Sequence, residues 1–441
     1  MREIGRQRRL RGPAILGLAA MVAIAVGGSL AATQASAATT THHSRAGYGG
    51  GLSISKQYFG STIEPYTGKE TAVYRYTLSN TQGMSVKILT FGGILQEINV
   101  PGSNGREADV LLGFKTLADY VKYDSPPVTA NGGPYFGELI GRYGNRIANG
   151  TFTLDQPGVG PVTYHVPINN NGNSLHGGLV GFGNHIWAAR EVRGHGYVGL
   201  QLTLVSPNGD QGYPATLKDV TTFTLNNSDQ LGIHYKLTNE STNLNTVTNV
   251  TDHAYFNLAG EASPAGSAYG QLLQINADKY TPTNLTQIPL GYNASVFGTP
   301  FDFTTPQTIG GRIDDVSAPD HAPAAYNQLL LAQGYDHNWV LNAQTPATTG
   351  PDGLNLAAHA WDPSSGRELS VWTDQPGVQV YTSNFLTGTL VGISGHTYRQ
   401  GAGYTFETQH FPNSPNQPNF PSTELGAGKT FTSTTVFAFS S

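Results

Sequence analysis

Apolar and polar residues alternate with a period of two along most of this chain, and no other feature narrows its fold as much. Residues 85–90 (SVKILT) place Val86 and Ile88 on one face. The pattern returns at 200–205 (LQLTLV), 220–225 (VTTFTL), 231–237 (LGIHYKL), 244–250 (LNTVTNV) and 430–439 (TFTSTTVFAF). These stretches are rich in β-branched and aromatic residues, which suit a pleated surface. Turn clusters such as Pro207-Asn208-Gly209-Asp210 separate them. Only 117–122 and 324–332 are expected to be helical, and neither sustains several turns of 3.6 periodicity. No short fixed-period repeat points to a solenoid or propeller. The expectation is an all-β fold, one large antiparallel β-sandwich, with two stacked β domains as the alternative. The polar stretches 261–270 and 413–424 read as long loops, the places where a sandwich binds ligands.

The first residues stand apart. Arg2, Arg6, Arg8, Arg9 and Arg11 precede an unbroken run of 13 apolar or glycine residues from Ala14 to Val26, and Ala35-Ser36-Ala37 fits a small-x-small cleavage site. That is the layout of a secretory signal peptide over 1–37, and its apolar run is short for a membrane span. A Thr-, His- and Gly-rich stretch, 38–53, reads as a flexible tether, leaving 54–441 as the folded domain. The mature protein is therefore expected to be secreted, extracellular or periplasmic, without a membrane attachment. A formal net charge of −5 lacks the basic footprint of a nucleic-acid binder. With Cys at 0, disulfides, thiolate zinc, iron–sulfur clusters and a cysteine nucleophile are excluded.

Five segments carry ionisable residues inside strand-like text. In 141–150 (GRYGNRIANG), Arg146 beside Asn145 presents a planar fork of donors that can span two hydroxyls; a solvated surface turn is an equal reading. In 173–178 (NSLHGG), His176 precedes two glycines where backbone can approach a ligand, although such a histidine is commonly structural. In 251–258 (TDHAYFNL), a strand would send His253, Tyr255 and Asn257 to one face and Asp252, Ala254, Phe256 and Leu258 to the other. In 334–341 (GYDHNWVL), Asp336 and Asn338 share a face, while Trp339 suits either a sugar ring or the core. In 406–412 (FETQHFP), Glu407 and Gln409 share a face, and a carboxyl among aromatics tends toward a raised pKa fit for a base. Gln379, in 377–385, adds a ligand amide. The chain has no GxxxxGK[ST], HExxH or GxSxG motif. No histidine and carboxylate pair on a strand or helix offers a trustworthy i, i+2 or i+4 metal-ligand spacing.

Taken in order, GRYGNRIANGTFTLD (141–155), NSLHGG (173–178), NVTDHAYFNLAG (249–260), GYDHNWVL (334–341), PGVQVYTSNF (376–385) and FETQHFPNSPNQPNFPST (406–423) resemble the aldose 1-epimerase, or galactose mutarotase, family. TFGGILQEINVP (90–101) and DVLLGF (109–114) extend the likeness over nearly the whole mature chain. The resemblance implies a large antiparallel supersandwich and a monosaccharide substrate. It also implies His253 as general acid, Glu407 as general base, and His176 near the reacting end of the sugar. Arg146 and Asn145 would bind hydroxyls, Asp336 would hold distal hydroxyls, and Gln379 would be a ligand contact. An acid and a base across a bound pyranose would open and close the hemiacetal without metal, nucleotide or covalent intermediate. Two features depart from the family: the export signal, and a longer 156–173 stretch next to His176. A non-catalytic sugar-binding sandwich is the second reading, set back by the presence of both His253 and Glu407. A glycosidase using Asp336 and Glu407 is the third, and it lacks a reason for a histidine opposite Glu407.

Overall fold

The computed structural model describes residues 51–124, 133–264 and 266–441. The signal peptide and nearly all of the expected tether lie outside the described residues. Pairing is antiparallel, and three sheets dominate. The first has five strands in chain order, Ser53–Glu64, Lys69–Ser79, Ser85–Leu89, Leu95–Pro101 and Glu107–Asp109. The second has nine, in the spatial order Ala188–Gly194, Tyr197–Ser206, Leu217–Asn226, Gln230–Asn239, Thr430–Ser440, Glu368–Thr373, Asn355–Trp361, Leu272–Ile275 and Gln307–Thr308. The last strand of the chain thus lies in the middle of this sheet. Alternation dictates the packing: along Leu217–Asn226 every second residue is buried.

The third sheet positions the site. Its six strands run Tyr255–Phe256, Tyr404–Gln409, Gly377–Tyr381, Asp336–Val340, Lys279–Thr281 and Ala294–Ser295. Register puts Tyr280, Trp339, Val378, Val380, Phe406 and Phe256 on one face. That face joins a core shared with Val86 and Ile98 of the first sheet and Leu202, Phe223, Ile233 and Phe437 of the second. Trp339 is wholly buried there, with Nε1 donating to the Phe301 carbonyl at 3.0 Å, so it cannot stack on a sugar. The opposite face is polar: Asn338, Gln379 and Glu407 form one cross-strand row, and Asp336, Tyr381, Thr405 and Tyr255 the next.

Some elements are shorter than the pattern predicts. Of 244–250 only Thr246–Val247 is strand, pairing with Glu424–Leu425. The helix expected over 324–332 is confined to Gln328–Ala332, because Asn327 caps it by accepting the Leu330 N–H. The other helix, Leu117–Asp124, runs slightly past its expected end. Within the long loops, Ser267–Gly270 and Ser414–Asn416 form single 3-10 turns. The described residues all fall in one compact unit, and no helix among them is long and apolar enough to cross a membrane.

Candidate active site

Short pairings bring the separated segments to one cavity. Arg146–Ile147 pairs with Ser174–Leu175, which sets Asn145, Arg146 and His176 side by side. The His176 N–H donates to the Asn145 carbonyl at 3.1 Å, and the Asn145 N–H donates to His176 Nδ1 at 3.2 Å. That second bond makes Nδ1 the acceptor, so the neutral ring carries its proton on Nε2. Gly177 follows at φ +90°, where a Cβ would meet the Gly141 carbonyl oxygen at 2.0 Å. The glycine is thus a steric requirement.

His253 sits at a break in what the alternation predicts as one strand. Thr251–Asp252 pairs with Leu139–Ile140, and Tyr255–Phe256 pairs with Tyr404–Gln409. Between them, Asp252 Oδ1 accepts the Ala254 N–H at 2.9 Å, withdrawing that amide from a ladder. The His253 N–H donates to the Glu138 carbonyl at 3.0 Å, and its own carbonyl accepts from the Gly137 N–H at 3.1 Å. His253 and Tyr255 reach the cavity as expected. Asn257 does not reach it; its amide donates to Ser267 Oγ and the Ala402 carbonyl, both at 2.8 Å.

The cavity has a volume of about 510 Å³ and is lined by Asn145, Arg146, His176, His253, Tyr255, Asp336 and Glu407, among others. Asn145, Arg146, His176, His253, Tyr255, Asp336 and Glu407, picked out in the sequence, therefore meet in it. Gln379, like Asn257, is not part of the lining; it donates Nε2 to Asp336 Oδ1 at 2.7 Å. Tyr255 lines the wall with its ring, while its hydroxyl donates to the Pro134 carbonyl at 2.7 Å.

At the heart of the site, His253 Nε2 lies 3.4 Å from Glu407 Oε1, with both side chains buried. This differs from an acid and base facing each other across a sugar ring, since a ring does not fit in that gap. They stand side by side and can address two oxygens of one carbon. Burial pushes the Glu407 carboxyl well above the ordinary carboxylate range, with Asp336 adding to the effect. Burial also pushes His253 down to about 3. His176 is driven well below the ordinary imidazole value, first by burial and then by His253 and Arg146. Burial thus favours the neutral form of both groups, a protonated carboxyl beside an uncharged imidazole.

Among the lining residues without a signal in the alternation or motifs are Tyr135, Asn170 and Gln287. The Tyr135 ring packs on both His176 and His253, at centroid distances of 4.7 and 5.7 Å. Asn170 Oδ1 accepts from Arg146 Nε at 3.1 Å. Tyr135, Asn145, His176 and Gln287 have φ of 56°, 58°, 50° and 60°, a concentration of left-handed backbone around one cavity. Such conformations are uncommon for residues with a Cβ and cluster at functional sites. His176, His253 and Glu407 also bring one ligand-type atom each within 4.8 Å of one another. Their residue types suit a divalent cation. They come from three distant segments, so local spacing could not reveal the set.

A buried carboxyl–imidazole pair, with a guanidinium and a second carboxylate at the same cavity of an antiparallel sandwich, suits acid–base chemistry on a polar substrate. Comparison with known proteins agrees. The aldose 1-epimerase family model matches residues 74–438, and the chain belongs to that family. It is 36% identical to the galactose mutarotase of Sus scrofa over 389 residues, covering 88% of this chain and 99% of that protein. It is 31% identical to the aldose 1-epimerase of Escherichia coli K12, covering 82% and 94%. The crystal structure of galactose 1-epimerase from Lactobacillus acidophilus superposes with a TM-score of 0.69 at 26% identity, covering 88% of this chain and 99% of that one.

Proposed function

We propose that this protein interconverts the α and β anomers of free aldohexoses, with glucose or galactose as substrate, through Glu407 and His253. The observation that carries this reading is the 3.4 Å contact between His253 Nε2 and Glu407 Oε1 inside the cavity that holds Arg146 and Asp336. The hydroxyl and ring oxygens of a hemiacetal hang on the same carbon, so two adjacent proton-handling groups fit them. A bound sugar offers the C1 hydroxyl as donor to Glu407 and the ring oxygen as acceptor to His253, which favours carboxylate and imidazolium over the neutral pair. Glu407 takes the hydroxyl proton as the C1–O5 bond breaks, and His253 protonates O5. The open aldehyde turns about C1–C2. O5 then returns its proton to His253 as it attacks the other carbonyl face, and Glu407 returns its own to O1. Protons balance over the cycle, and each transfer contributes about 10²–10⁴-fold. His176 Nε2–H supports an oxygen at the reacting end.

A glycosidase reading would need Asp336 as the partner of Glu407. Both Asp336 oxygens instead accept amide hydrogen bonds, from Gln287 and Gln379, which suits a holding role. Polarimetry of freshly dissolved α-D-glucose and α-D-galactose tests the proposal: added protein should speed the approach to anomeric equilibrium, and an unchanged rate on a panel of aldoses refutes it. The export reading rests on 1–37 of the sequence and is tested by N-terminal sequencing of protein recovered outside the cell.

A further inference from the structure

Arg146 and Asp336 are opposite charges on one cavity, yet among the described residues no ion pair joins them. Gln287 stands between them. Arg146 Nη2 donates to Gln287 Oε1 at 2.5 Å, and Gln287 Nε2 donates to Asp336 Oδ2 at 2.7 Å. The amide is held in place by its own loop. Asn284 Oδ1 accepts the N–H groups of Thr286 and Ile288 at 2.9 and 3.1 Å, and the Asn284 carbonyl accepts the Gln287 N–H at 2.9 Å. Asn173 Nδ2 donates to the Thr286 carbonyl at 3.2 Å, tying this loop to the segment that carries His176. Gln287 adopts φ 60°, unusual for a residue with a Cβ, and lines the cavity.

We propose that Gln287 is a specificity-determining residue of the sugar site: it keeps Arg146 and Asp336 apart and reads one hydroxyl of the aldose between them. An amide has two N–H donors and two acceptor lone pairs, and the two bonds above use one of each. One donor and one acceptor remain, which is the complement of a hydroxyl that both accepts and donates. Without the amide, guanidinium and carboxylate satisfy each other directly, and a sugar must break that pair to bind. The inference rests on the aldose reading of the pocket and adds a residue that the sequence motifs do not contain.

The test compares wild type with Gln287→Leu, close in volume but without hydrogen bonds, on galactose, glucose and their 2-, 3-, 4- and 6-deoxy analogues. We expect KM for the parent sugar to rise about tenfold with kcat within about twofold, the scale of one hydrogen bond to a charged network. The rise should collapse for the single deoxy sugar that lacks the hydroxyl Gln287 reads. Gln287→Met, unbranched and apolar, serves the same comparison if the leucine variant does not fold. An unchanged KM, an equal rise for every analogue, or a loss confined to kcat overturns the proposal. Wild-type protein inactive on every sugar overturns the aldose reading itself, and that result is visible before any variant is made.

Discussion

His253 and Glu407 touch: Nε2 of one and Oε1 of the other are 3.4 Å apart, with both side chains buried at the cavity wall. Removing either proton carrier leaves the other without the partner that resets it. Glu407→Gln keeps the shape and hydrogen-bonding capacity of the side chain. It should lower kcat by at least about 10²-fold while KM changes only a few-fold, as for a group that acts in the transition state. His253→Asn should behave alike. Polarimetric rates at saturating sugar check both, and a Glu407→Gln enzyme with near-normal kcat removes Glu407 from the base role.

The same contact sets the pH response. In the proposed mechanism the pair must hold one proton. Burial pulls His253 down to about 3, so the pair resists a second proton until the medium is well below the ordinary imidazole value. Burial holds Glu407 well above the carboxylate range, so the pair keeps its proton as pH rises past the point where a free carboxyl has lost it. A profile of kcat/KM against pH should therefore be flat through about pH 6.5, the ordinary histidine value, with its acid limb below that point. An acid limb centred near that value contradicts the shared-proton description.

Arg146 donates to Asn170 and Gln287 and faces the cavity, and the proposed function assigns it to sugar binding. Arg146→Ala should raise KM by about 10- to 100-fold with a smaller change in kcat, because hydroxyl bonds made equally in ground and transition states are lost. Steady-state kinetics on galactose and glucose decide this. A change in kcat alone would point to a role in proton transfer.

Stability has its own acid sensor outside the cavity lining. Glu64, at the end of the first strand, accepts from His185 Nδ1 at 2.8 Å and from the Ile186 N–H at 2.6 Å, while the Tyr66 ring stacks on His185 at 3.8 Å. Burial alone would raise Glu64, but these bonds hold its pKa below the ordinary carboxylate value. The unfolded chain then takes a proton more readily than the folded one as pH falls. The stabilisation is complete above the unfolded carboxylate pKa and is lost as pH drops through the lower, folded value. Glu64→Gln should cost about 1–2 kcal/mol at neutral pH and less in acid. Urea denaturation at pH 7 and pH 4 measures it; equal losses at both contradict the assignment.

The alternation made the β architecture legible, because sheets with one face in the core repeat their burial every second residue. It also drew attention to several residues that line the cavity, since Glu407 and Asp336 interrupt apolar strands, while their roles came from the resemblance. It misread 251–258 as continuous because the break depends on the Asp252 side chain taking one backbone amide, a local competition invisible to periodicity. The resemblance implies Gln379 as a ligand contact; strand position fixes its face but not its depth, and its amide donates to Asp336. Gln287 left no trace, since it lies in an aperiodic loop and gains meaning only from two charges brought to it by other elements.

The strand Thr430–Ser440 lies between Gln230–Asn239 and Glu368–Thr373, so the nine-stranded sheet has no middle until the end of the chain is present. Synthesis from the N-terminus therefore leaves two half-sheets with open hydrogen-bonding edges until residues 430–440 arrive. A nonsense codon shortly before position 430 would yield adhesive, self-associating fragments instead of a slightly shortened enzyme.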